Sequence, residues 1–147
     1  MHAPFTRTNP EVQMYNHVLV AVAPGHVDAY ARSLDAARRL LADGGKITVL
    51  SVLEELPSYV GSYFPADQMK KSRSDQASMI KAEISGDDVE VQVLSGHPTN
   101  TILDWASKHK TDCIVVSSHQ PGLSHLLLGS TAARVVRHAE CAVIVLR

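Results

Sequence analysis

Residues 113–116 (Cys-Ile-Val-Val) and 142–146 (Ala-Val-Ile-Val-Leu) are short, apolar throughout and rich in β-branched side chains. A run of that kind is a strand covered on both faces, since a strand with one wet face would alternate. Between the two lie a polar turn region (117–125), then Gly129-Ser130-Thr131, then Ala132, Val135 and Val136 at helical spacing. The order is strand, loop, helix, strand. Two strands joined through a helix run parallel, and the loops at the carboxyl ends of such strands are where ligands sit.

The same alternation fills the rest of the chain. Residues 17–23 form an apolar run broken by Pro24-Gly25. Asp28, or the turn before it, caps a helix whose apolar face is Tyr30, Leu34, Ala37 and Leu41, and Gly44-Gly45 ends it. Residues 46–53 make the second strand. The loop 54–65 carries Tyr59, Tyr63 and Phe64, three of the chain's seven aromatics, and reads either as a lid or interface or as a flap folded on the domain. A helix follows over 66–84, then a turn at 85–88. Val89, Val91 and Val93 alternate as an edge strand. Gly96 and Pro98 open a helix with Ile102, Trp105, Ala106 and His109 near one face, Trp105 being a core anchor. This pattern predicts a doubly wound α/β sheet with helices on both faces.

At 147 residues the chain is long enough for one domain with a substantial core, expected over 17–147 with 1–16 as a polar extension broken by Pro4 and Pro10. A net charge of −1 leaves no basic footprint for nucleic acid or an anionic membrane surface. No apolar run reaches the roughly 18 residues of a spanning helix, and residues 1–16 lack the apolar middle of a signal peptide, so the expected compartment is the cytoplasm. Cys113 and Cys141 read as buried reduced thiols. The eight histidines are scattered, as surface and capping residues are, and no Cys-x-x-Cys or His-Glu-x-x-His spacing argues for a metal. Neither Gly-x-Gly-x-x-Gly nor a Walker loop follows the first strand.

The segment 129–131 has the parts of an anion cradle. Gly129 allows close backbone approach, Ser130 is a good N-cap, and free amides in a first helical turn favour phosphate. The same residues also serve simply as a loop end and a cap.

The stretch from Ser117 to Arg147, with Ser118-His119-Gln120-Pro121, Leu-Leu-Gly-Ser and Val-Val-Arg-His-Ala-Glu-Cys, resembles the carboxyl end of the universal stress proteins, and in particular the branch called universal stress protein F. The resemblance implies a five-stranded parallel sheet in the order 3-2-1-4-5 and, in many members, ATP binding. Of the family motif Gly-x2-Gly-x9-Gly-Ser/Thr, Gly129 and Ser130 match the final pair. Ser117 stands at the first glycine, Gln120 at the second, and the following spacer is eight residues instead of nine. The aspartate usual at the end of the first strand is Ala23, whose methyl accepts no hydrogen bond. The implied site places adenine near Val52, phosphates on the amides of Gly129, Ser130 and Thr131, and Ser117, Ser118, His119 or His125 and Gln120 along the same crevice, with Mg2+ accompanying ATP.

Three functions follow as expectations: a nucleotide-binding stress-response sensor, a dimeric scaffold of the same family that binds no nucleotide, and an enzyme such as a slow ATPase. Adjacent Ser118 and His119 are poorly placed as a nucleophile and its base, so no catalytic residue is assigned. The final strand, an apolar edge with Arg147 as its only charge, is expected to pair with its own copy as a homodimer, or as a tetramer built from dimers.

Overall fold

The computed structural model describes residues 14–24, 27–55, 59, 65–84, 86–118 and 128–147. The elements are β1 (Tyr15–Val22), α1 (Val27–Leu40), β2 (Leu41–Leu53), α2 (Ala66–Glu83), β3 (Val89–Ser95), α3 (Pro98–Lys108), β4 (Cys113–Ser117), α4 (Ser130–His138) and β5 (Ala142–Leu146). The strands form one parallel sheet in the order β3-β2-β1-β4-β5, as expected.

Period-two alternation divides each central strand between two cores. Val18, Val20, Ile47, Val49, Cys113 and Val115 meet Tyr30, Leu34 and Ala37 of α1 and Ile80 of α2. Leu19, Leu50, Val52, Ile114 and Val116 face the other way, onto Ile102, Trp105 and Ala106 of α3 and Ala132 and Val135 of α4. Each fully buried aliphatic side chain stabilises the fold by about 1.5–3 kcal/mol. Truncating Ile114, which has no exposed surface, to alanine would remove about 2–5 kcal/mol. Trp105 is the anchor the sequence implies.

Gly44-Gly45 does not end α1, which stops at Leu40 with β2 following directly. The register runs Tyr15↔Leu41 and then His17↔Lys46, so β2 accommodates its extra residues in a bulge. Gly44 has φ 74°, and a Cβ on Gly45 would stand 2.9 Å from the Asn16 carbonyl oxygen. The pair serves strand register. Beyond it, Arg38 in the last turn of α1 forms an ion pair with Asp88 at 3.0 Å, and holds that carboxyl below its ordinary pKa.

Among the described residues, one histidine departs from the surface role. His17 is buried, its Nδ1 3.0 Å from the His109 carbonyl and its Nε2 3.0 Å from Thr48 Oγ1. Its ring meets Trp105 edge-on at 5.4 Å, and Trp105 in turn stacks on His109 at 3.9 Å. Asp112 accepts the amides of Asn16 and His17 at 2.8 and 2.9 Å, which ties the start of β1 to the turn before β4. His97, by contrast, caps α3 as expected, with Nδ1 accepting from the Asn100 amide.

Candidate functional site

The connections from neighbouring β1 and β4 lead toward opposite edges of the sheet, and a crevice opens at the carboxyl ends of these two strands. Its volume is about 440 Å3. The end of β1 supplies Ala23 and Pro24, β2 supplies Val52 and is followed by Glu54, and β4 supplies Ser117. Pro98 and Ile102 of α3 and Thr131 and Ala132 of α4 close the other side. The lining is mostly apolar, with Glu54, Ser117 and Thr131 as its polar side chains, a mixture usual for small-molecule pockets.

Local chemistry explains each position. Tyr30 donates its hydroxyl to the Ala23 carbonyl at 2.9 Å and fixes the end of β1, while burial pushes the Tyr30 pKa up. Gly96 donates its amide to the Leu53 carbonyl at 2.9 Å and holds the β3–α3 connection against the end of β2. Its φ of 150°, and the 2.7 Å a Cβ would leave to Thr101 Oγ1, both require glycine. The Ser118 amide and hydroxyl both donate to the Leu146 carbonyl, at 2.9 and 3.3 Å, closing β4 against β5.

At the start of α4 the N-cap is Gly129, not Ser130, which is the first helical residue. The reason is the backbone: Gly129 has φ −59° and ψ 150°, outside the helix, and its carbonyl accepts the first helical bond from Ala133 at 2.8 Å. The N-cap has no side chain to close this end, so among the described residues the first-turn amides and the positive end of the helix dipole carry no side-chain cap. Any residue adopts a φ of −59°, so backbone freedom does not call for glycine at 129.

Of the residues the sequence singles out, Ala23, Val52, Ser117 and Thr131 line this one crevice, and Gly129 and Ser130 adjoin Thr131. Ser118 is engaged with β5. His119, Gln120 and His125 lie outside the described residues, as does the 54–65 loop except Glu54, Glu55, Tyr59 and Pro65. Glu54, Pro98 and Ile102 were not singled out. Glu54 had a signal, since it is the first residue past an apolar strand on the ligand side, but a glutamate there reads as an ordinary loop charge. Among the described residues no group of three or more His, Cys, Asp or Glu is gathered as metal ligands. No described helix is long and apolar enough to cross a membrane.

Residues 14–147 match the model of the universal stress protein family. A universal stress protein of Thermus aquaticus is 30% identical over 139 residues, 91% of this chain and all of the relative. Two solved structures share the fold. A universal stress protein in complex with cAMP superimposes with a TM-score of 0.56 at 24% identity, covering 91% of this chain and 98% of that one. One from Archaeoglobus fulgidus in complex with dAMP gives 0.57 at 22%, covering 91% and 99%. The branch-level likeness rests on 118–121, of which only Ser118 is described.

Proposed function

The chain belongs to the universal stress protein family, and on that premise we propose that it is an adenine-nucleotide-binding stress-response protein, a dimeric sensor more than a catalyst. The crevice at the carboxyl ends of β1 and β4 carries this reading. It sets an apolar floor at Val52 beside the uncapped start of α4, so one pocket offers a surface for a base and amides for a phosphate. The ligands named for the two solved relatives, cAMP and dAMP, suit a pocket of that kind. ATP with Mg2+ is the family-typical alternative to test beside them.

Mass spectrometry of small molecules released from the denatured protein should find an adenine nucleotide. Added nucleotide at a hundred times Kd should stabilise the fold by about 2.7 kcal/mol, visible as a rise in Tm. Absence of released nucleotide together with absence of any shift with AMP or ATP would overturn the reading.

The second reading is a dimeric scaffold that binds no nucleotide. Ala23 favours it, because its methyl offers no acceptor where the family usually has an aspartate. In either reading the partner is a second copy, joined through β5.

A further inference from the structure

A second cavity, of about 430 Å3, lies at the other end of the sheet from the crevice, where β4 and β5 begin. Its buried lining is Ala106 of α3, Thr111 and Ile114. Asp104, Lys110, His138 and Glu140 line it as exposed residues. The adenine-nucleotide reading uses none of them.

Thr111 is only 8% exposed, and its Oγ1 is buried with no hydrogen-bond partner. Among the described residues it is the one buried side-chain oxygen or nitrogen left in that state, which folding alone disfavours. Its neighbour Lys110 has φ 53°, in the left-handed region where helix ends usually place glycine. A lysine held there stores strain, and it puts a cation on the cavity. The opposite charges around the opening are not spent on each other. Among the described residues no ion pair or side-chain hydrogen bond engages Asp104, Lys110 or Glu140.

The backbone adds to the negative side. Helices α3 and α4 both end beside this cavity, at Lys108 and His138, and each carboxyl terminus is equivalent to about half a negative charge. The fixed charges of the lining are thus one cation and two carboxylates, with two helix ends besides. A pure anion would meet the carboxylates and the helix ends, and a pure cation would meet Lys110. A molecule bearing both charges finds a partner for each, and an apolar body suits Ala106 and Ile114.

We propose that this cavity is a second binding site, for a small zwitterion with an apolar side chain, the chemistry of a free aliphatic amino acid. Lys110 pairs with the carboxylate, which also gives the Thr111 hydroxyl its missing partner. Asp104, Glu140 and the two helix ends take the ammonium.

NMR amide shifts and Tm, followed at neutral pH with leucine, leucinamide and N-acetylleucine, test this, since the three probes share one side chain and differ in charge. Leucine should bind about tenfold more tightly than either relative, and its shifts should centre on Lys110, Thr111 and Glu140. Lys110→Gly suits its φ and should fold, yet lose the preference for leucine over leucinamide. Asp104→Asn with Glu140→Gln should instead lose the preference over N-acetylleucine. Thr111→Val should keep the parent's Tm without ligand and gain less from leucine. A lower Tm without ligand, or the full gain with it, overturns the role of the hydroxyl. No binding of leucine, equal binding of the three probes, or shifts confined to Val52 and Thr131 in the crevice overturns the site, and none of these outcomes touches the nucleotide reading.

Discussion

His17 Nε2 lies 3.0 Å from Thr48 Oγ1, where the His17 side chain is almost fully covered and Thr48 has no exposed surface. Because Nδ1 faces the His109 carbonyl, Nδ1 must carry the proton, and Nε2 accepts from the threonine hydroxyl. The neutral ring therefore satisfies every polar group it touches. A second proton would put two donors face to face until the hydroxyl turned.

Burial holds the His17 pKa below its ordinary 6.5, and Lys46 and His109 add to that, against the pull of the His109 carbonyl and of Asp112. The unfolded chain then takes up a proton before the native one does. The contribution is complete above about pH 6.5 and is lost as pH falls through the window beneath it, at a slope of up to about 1.4 kcal/mol per pH unit. Urea unfolding at pH 7.5 and 5.5 should show a drop of about 1 kcal/mol that His17→Gln lacks. Parallel pH profiles for parent and variant would dismiss the idea.

Gly129→Asp should separate stability from binding. The new carboxylate can cap α4 and gain a few tenths to about 1 kcal/mol, at a φ of −59° that any residue tolerates. It also puts a negative charge on the phosphate position, so nucleotide affinity should fall at least about tenfold. A variant that binds AMP as the parent does would move the phosphate elsewhere.

Gly96→Ala tests the connection between β3 and α3. At φ 150° and with a Cβ 2.7 Å from Thr101 Oγ1, alanine should cost about 1–3 kcal/mol. The urea midpoint reads this directly, and an unchanged midpoint would mean the connection has another conformation.

The cysteines should not join. Cys113 pairs in register with Ala142, so Cys141 sits one residue away and packs with the opposite core. Burial pushes the Cys113 thiol up to about 11 and raises Cys141 as well. Iodoacetamide followed by mass spectrometry should label half-buried Cys141 slowly, and Cys113 only once the protein unfolds. Diagonal oxidation to a disulfide without loss of native structure would contradict this arrangement.

Replacing Val143 and Val145 by lysine should give a soluble monomer by light scattering. Both are half-buried on edge strand β5. An unchanged mass would place the interface elsewhere.

What the sequence revealed and what it hid divide by range. The buried runs at 113–116 and 142–146 identify themselves, because every residue of a strand covered on both faces must be apolar. That Val52, Ser117 and Thr131 share one crevice was legible because each stands at the carboxyl end of a strand or the start of a helix. The first residues of β2 were not, since Leu-Ala-Asp-Gly-Gly has no strand signature and pairs only because Tyr15 lies beside it. His17 was hidden for the same reason: its partners Thr48 and His109 are 31 and 92 positions away. Which of Gly129 and Ser130 caps α4 turns on one backbone angle, and residue type alone favours the serine.

The two rims of the sheet differ. On β3 the outermost strand bears Glu90, with Gln92 donating to it at 2.6 Å, whereas β5 has no charge in Ala142–Leu146. If β5 pairs with its own copy as proposed, a sheet charged on one rim and apolar on the other has an edge valence of one: a single neighbour, added strand to strand about a two-fold axis, would consume the rim that invites it. Growth by edge addition would then stop at two chains, and the apolar strand would act as a terminator instead of the seed of a fibre.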